Sequence, residues 1–194
     1  MATWYEALAA KIERRGGCRT IYRPGPEIGS DGKPIPILYL KRYYLYRFPY
    51  GEGMLHQFFL GDEGSVHDHP FPSCGMILAT GYIEHIRRPW TGNNFPVEQI
   101  RRKAGDISWR PAANAKHDLA SSFHKVELLP GTSGKVWTLF CTGRRVTGEA
   151  AKWGFANPEG FVPFSESFKK DGTEAMQSSP NQWGYGFFPK KKAV

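Results

Sequence analysis

The sequence predicts an all-β protein, an antiparallel sandwich or barrel with one helix ahead of it. Three observations carry that expectation. About eight short segments rich in Tyr, Ile, Leu and Val recur along the middle of the chain, no helical period runs between them, and Gly- or Pro-centred turn signals separate them. A length of 194 residues suits one domain. With 40% hydrophobic and 14% aromatic residues the chain has ample material for a core, which excludes a disordered tail.

The helix comes first. Thr3 followed by Glu6 matches a capping box, in which each side chain satisfies an orphan backbone N–H at the helix start. Trp4, Leu8 and Ile12 then recur at helical spacing and Gly16-Gly17 supplies a stop, so the helix is expected over 3–15. Residues 23–36 contain Pro24, Pro26, Pro34 and Pro36 with interspersed glycines, and read as loop. Strands are expected over 37–48, 54–60, 75–79, 82–87, 97–102, 107–110, 124–128 and 136–141. Tyr50-Gly-Glu-Gly53, Gly105-Asp106 and the stretch from Pro130 to Gly134 supply turns between them. Beyond 143 the pattern loosens into single aromatics (Trp153, Phe155, Phe161, Phe164, Phe168, Trp183, Tyr185, Phe187 and Phe188) and ends in Lys190-Lys191-Lys192. Such a tail suits wrapping the outside of a barrel, with a homodimer contact as the competing use. The division is one domain over 1–194: helix and loop 1–36, barrel 37–143 and tail 144–194.

Composition narrows partners and compartment. Lys plus Arg is 26 against 18 Asp plus Glu, a formal charge of +8, which invites a nucleic-acid reading. The basic residues are scattered, however, as Arg14-Arg15, Arg87-Arg88, Arg101-Arg102-Lys103, Arg144-Arg145 and the terminal lysines, and a solvated surface explains them as well. The aromatic content suits base stacking, but the strands lack the pattern of an RNA-recognition motif. No apolar run approaches the roughly 18 residues of a membrane span. The N-terminus does not read as a secretory signal. Cys18, Cys74 and Cys141 form no C-x-x-C, which argues against a zinc ribbon or a disulfide framework and points to a reducing cytoplasm.

The chemistry concentrates between Gly61 and Gly81. In an extended segment residues i and i+2 face the same way, so His67 and His69 reach one side together and Asp68 the other. Two imidazoles on one side suit a shared metal ion. There is no H-x-[DE], no P-loop and no G-x-S-x-G elbow. Glu84 reads as a strand-face residue rather than a ligand, and His85 and His124 as surface residues. His56 sits on the preceding strand with its direction open.

Gly61, His67, His69 and Gly81 fall in the register of the first motif of the cupin superfamily, which this stretch resembles. Cys74 stands where that motif usually has a metal-binding Glu. Gly105, Pro111 and His117 resemble the second motif, with His117 one residue late and Ala113 in place of a glycine. The resemblance spans about 38–143. It implies a cupin-type antiparallel β-barrel (jelly roll) in which His67, His69 and His117 hold a divalent transition metal, Fe(II) above Mn, Ni or Zn, with a small-molecule substrate. The string from His67 through Cys74 to Gly81 is locally similar to thiol dioxygenases of the cysteine dioxygenase type. That similarity implies Fe(II)-dependent oxygenation of a small molecule, a thiol among the candidates, with Cys74 and Arg47 facing substrate. The segment from Val136 to Thr142 has no Tyr, so the Cys–Tyr crosslink of those enzymes is not expected. His67-Asp-His-Pro70, Gly81-Tyr-Ile-Glu-His85 and the late Trp153-Gly-Phe155 are also similar to small cupin-like phage and prophage proteins, which would place the chain in a host cytoplasm. A non-catalytic ligand- or protein-binding module, a basic nucleic-acid binder and a cupin isomerase or epimerase are the alternatives.

Overall fold

The computed structural model describes residues 2–87, 97–113, 123–146, 153–157 and 160–163. One helix, α1 (Trp4–Arg14), precedes twelve strands: β1 (Cys18–Ile28), β2 (Pro34–Phe48), β3 (Gly51–Phe58), β4 (Val66–His67), β5 (Ser73–Ala79), β6 (Tyr82–Arg87), β7 (Val97–Arg102), β8 (Ile107–Arg110), β9 (His124–Glu127), β10 (Val136–Thr142), β11 (Gly154–Asn157) and β12 (Gly160–Pro163). They form two six-stranded sheets, β1-β2-β3-β10-β5-β8 and β12-β11-β4-β9-β6-β7. All pairings are antiparallel. Within them β3 to β10 take the orders 3-10-5-8 and 4-9-6-7. That interleaving of eight consecutive strands between two sheets is a jelly roll, the architecture the sequence implied.

Alternation along the strands sorts side chains to two faces. Leu40, Phe58, Ile77 and Val136 from the first sheet meet Tyr82 and Val126 from the second, and this cluster fills the space between the sheets. The outer face of the first sheet carries Tyr43, Leu55 and Trp137, and α1 covers them with Tyr5, Leu8, Ala9 and Ile12. The Trp137 ring lies 5.7 Å from Tyr43 and 5.4 Å from Tyr5. The helix starts as expected, with Thr3 as N-cap and both bonds of the capping box to Glu6 formed.

Two motif glycines have steric reasons. A Cβ on Gly61 would lie 2.7 Å from the Val126 carbonyl oxygen. Gly81 turns β5 into β6 with φ +107°, and a Cβ there would lie 2.2 Å from the Arg102 carbonyl oxygen.

Two expectations need correction. The segment 23–36 is not loop throughout: β1 runs through Pro24 and Pro26 to Ile28, and β2 already starts at Pro34. The prolines are tolerated because, among the described residues, β1 is the outermost strand and pairs with β2 alone, through a ladder with two register shifts. Nor does regular structure stop near 143, because β11 pairs with both β12 and β4. Phe155 and Phe161 therefore belong to strands, with the Phe161 ring 6.0 Å from Phe123. Phe164, Phe168, Trp183, Tyr185, Phe187, Phe188 and the terminal lysines lie outside the described residues.

Candidate metal centre

His67 closes the short strand β4, which lies between β11 and β9 and is paired at this residue with Phe155 on one side and His124 on the other. The chain stays extended through the next residues, and His67 and His69 do share one side, their ring centroids 5.0 Å apart. Asp68 turns away from them, as expected, and is buried. Its Oδ1 accepts from the Gly154 N–H (2.8 Å), and its own N–H donates to the Gly154 carbonyl (3.1 Å). The carboxyl is pushed up to about 6, mainly by burial, against the pull of that backbone donor. Asp68 thus latches β11 to the histidine strand. His69 is held from two more sides: its carbonyl accepts from the Ala113 N–H (2.7 Å), and its ring stacks on Phe71 at 5.4 Å.

The third imidazole of the cluster belongs to His124, read from the sequence as a surface residue. It is 8% exposed. One potential ligand atom from each of His67, His69 and His124 falls within 4.8 Å of the others. The signal for His124 was present in its own strand. In His124-Lys-Val-Glu127 the histidine alternates with Lys125 and Glu127 and shares the face of buried Val126. His117 lies outside the described residues.

Behind His124 stands Glu84, which is 0% exposed. Its Oε1 lies 3.1 Å from His124 Nδ1, its Oε2 accepts from Arg102 Nε at 2.7 Å, and Arg110 pairs with Oε1 from β8 of the facing sheet. Glu84 is thus a strand-face residue, as expected, and its face is the interior. A carboxylate on Nδ1 fixes the N–H there and leaves the Nε2 lone pair free. That Nε2 points at the His69 Nε2 across 3.0 Å.

Burial is the main cause lowering the basicity of all three imidazoles, and Arg110 adds to it in each. For His67 the carboxylate of Asp62 opposes that trend, and for His69 and His124 the drop is large. Neutral imidazoles with converging lone pairs are what a metal ion requires of its ligands. Metal–nitrogen bonds of about 2.0–2.1 Å place neighbouring ligand nitrogens roughly 3–4 Å apart, so this donor set fits a divalent transition metal. His67 and His69 are only half-buried, which leaves the cluster one accessible side.

The expected substrate-facing residues stand elsewhere. Cys74 is exposed, on the face of β5 opposite that of buried Ser73 and Ile77, with Trp109 and Cys141 as its cross-strand partners. Strand alternation turns it away from the interior, so it does not occupy a ligand position beside the imidazoles. Arg47 sits near the end of β2, bonded through Nε to Glu52 at 2.7 Å and lying over the Tyr44 ring at 4.3 Å. Among the described residues no hydrogen bond or ion pair joins it to a histidine. The guanidinium groups whose charge reaches the cluster are Arg110, Arg42 and Arg102. His56, of open direction in the sequence, points inward between Phe140 and Phe58 and is 4% exposed.

A jelly roll with inward imidazoles on neighbouring strands is the arrangement that the resemblance to the cupin motifs implied. No family model matches the sequence and no curated protein is similar to it. Among solved structures the chain is similar to KdgF from a Halomonas species, at 17% identity and a TM-score of 0.38, over 55% of this chain and 82% of that one. It is similar to a cupin superfamily protein from Desulfitobacterium hafniense at 15% identity and a TM-score of 0.38, over 65% and 98% of the two chains. A third is an RmlC-like cupin from Desulfovibrio desulfuricans, at 13% identity and a TM-score of 0.35, over 54% and 82%. Among the described residues no helix is long and apolar enough to cross a membrane.

Proposed function

We propose that the chain is a metal-dependent cupin enzyme acting on a small molecule, with His67, His69 and His124 as the protein ligands of one divalent transition metal. The observation that carries this reading is the approach of the His69 and His124 Nε2 atoms to 3.0 Å, with a carboxylate fixing the far nitrogen of His124. A neutral three-nitrogen donor set suits Fe(II) as well as Mn, Ni or Zn, and Fe(II)-dependent oxygenation is the reaction we favour. Bound there, the metal supplies Lewis acidity and open coordination positions. The chain's own residues orient the ligand rings through Glu84, Gly154 and Phe71, and exclude bulk water on the inner side through the apolar cluster between the sheets.

Metal analysis tests the assignment directly. The purified protein, loaded in turn with Fe(II), Mn(II), Ni(II) and Zn(II), should retain about one ion per chain, and His124→Ala should lose it. Wild type that retains none of the four would overturn the metal reading. Oxygen uptake by the Fe(II)-loaded protein with a panel of small molecules, thiols included, then tests the reaction. Uptake that survives unchanged in His69→Ala would leave a non-catalytic module as the better description.

A further inference from the structure

We infer that Cys74 and Cys141 form a thiol–disulfide exchange site on the outer face of the first sheet, where a low-molecular-weight disulfide is reduced as the two cysteines close into a reversible bridge. The inference goes beyond the metal-site reading and rests on no part of it.

Cys74 on β5 and Cys141 on β10 are direct cross-strand partners, inside a regular stretch of ladder that runs from Thr138 and Ile77 to Thr142 and Ser73. Opposed residues of an antiparallel pair point to the same face with Cα atoms about 4.5–5.5 Å apart. A disulfide needs Cα atoms about 4.4–6.8 Å apart, so the backbone already holds these two thiols at bridging distance. Their Cβ atoms, about 4.5–5.5 Å apart in an open pair, must close to about 3.5–4.5 Å, which favours a bridge that is readily reduced. Both cysteines are free thiols.

The same register extends into a row across five strands: Tyr46, Gly53, Cys141, Cys74 and Trp109. A Cβ on Gly53 would overlap the Tyr46 ring, so glycine lets that ring lie over β3, where its hydroxyl is hydrogen-bonded to the Cys141 thiol. The cluster beneath α1 takes in Tyr43, Leu55, Trp137 and Leu139 of this face but neither thiol of the row. Cys74 is exposed and Cys141 half-buried. The exposed sulfur is the one an incoming disulfide reaches, and the partner behind it resolves the intermediate.

The Cys74 thiolate attacks one sulfur of the small disulfide, whose S–S bond breaks and releases one thiolate. The Cys141 thiolate then attacks the Cys74 sulfur and expels the second. The two cysteines lose two electrons and two protons, and two small-molecule thiols are formed. Cys18 takes no part. It lies in the cluster beneath α1, and burial pushes its thiol up to about 11. Its strand stands three places from β10, roughly 14 Å away, beyond the reach of a bridge.

The test incubates the purified full chain with oxidised glutathione in the absence of oxygen, then counts free thiols and maps linked peptides by mass spectrometry. Free thiols should fall from three to one per chain. The mass should drop by two hydrogens, the Cys74 and Cys141 peptides should be joined, and excess reduced glutathione should restore all three thiols. Cys141→Ser should stop with one glutathione held on Cys74. Cys74→Ser should consume oxidised glutathione about tenfold more slowly or worse. Three thiols surviving a treatment that oxidises the denatured chain would overturn the site. So would glutathione remaining on Cys74 of the unsubstituted chain, a bridge to Cys18 or to a second chain, or a bridge that reduced glutathione does not reopen.

Discussion

At Glu84 one fully buried carboxylate meets two guanidinium groups and one imidazole. Removing such a charge leaves its partners stranded in a medium that cannot solvate them, and breaking a buried pair costs about 3–5 kcal/mol. The same change releases the ring of His124, and loss of an outer carboxylate of this kind lowers metal affinity about 10–100-fold. Glu84→Gln should therefore be less stable to urea and hand its metal more readily to a competing chelator. An unchanged chelator titration would show that Glu84 supports the fold and not the site. At this scale the sequence was partly legible. His67 and His69 were found because their spacing alone puts two rings on one side of an extended chain. His124 reads as a surface residue because the motif spacing from Gly105 and Pro111 leads to His117, whereas the alternation within its own short strand places it on the face of buried Val126. Cys74 was misjudged for a related reason: a position in a motif does not say which sheet face the side chain takes, and here the neighbours Ser73 and Ile77 take the inner one.

Among the elements, α1 was readable down to its first residue, because a cap is a local contract between Thr3 and Glu6. The Glu6 carboxylate accepts from the Thr3 backbone N–H at 2.8 Å and from its hydroxyl at 2.8 Å, and these donors hold its pKa below the usual range. An acid whose folded pKa is depressed contributes stability above its unfolded pKa and loses it as pH falls through the folded one. Thr3→Ala should cost about 1 kcal/mol near neutral pH. That difference should shrink in thermal unfolding as pH falls through the lowered folded pKa of Glu6, below which the carboxyl is protonated in either protein. A gap that stays constant across this range would mean that the hydroxyl alone caps the helix. The strands were legible where they alternate or run apolar. They were not legible at β1, where proline suggests loop unless the strand's outermost place in the sheet is known, nor at β11 and β12. Those two are strands because Asp68 and Val66 hold β11 in place, a long-range cause absent from their own residues.

For the whole molecule, the metal cluster lies within one sheet while its electrostatic support crosses to the other. His67 and His124 come from β4 and β9, Glu84 from the neighbouring β6, and Arg110 reaches Glu84 from β8 of the opposite sheet. Ions that bind only the folded state stabilise it by mass action, by about 3–4 kcal/mol at 100–1,000 times the dissociation constant. Melting of the whole jelly roll should therefore move up on adding Zn(II) and back down on adding a chelator, with both shifts absent in His124→Ala. A Zn(II) shift that persists in that variant would place the stabilising ion somewhere other than this cluster.

The prolines of β1 have a consequence for how these molecules behave in a crowd. A sheet stops growing only if its last strand offers a stranger no usable row of donors and acceptors. At one border Pro24 and Pro26 withhold two amide donors, and the ladder behind them shifts register between Pro24 and Ile28. At the other border β8 is four residues long and offers little to pair with, although Ile107 and Trp109 are 63% and 68% exposed. Restoring amides with Pro24→Val and Pro26→Val should make the chain scatter more light on storage, read as turbidity against the unsubstituted chain at matched concentration. Unchanged turbidity would mean that side chains rather than missing amides keep that border closed. Each molecule thus has a finished sheet at two borders by two different means, one chemical and one a matter of length.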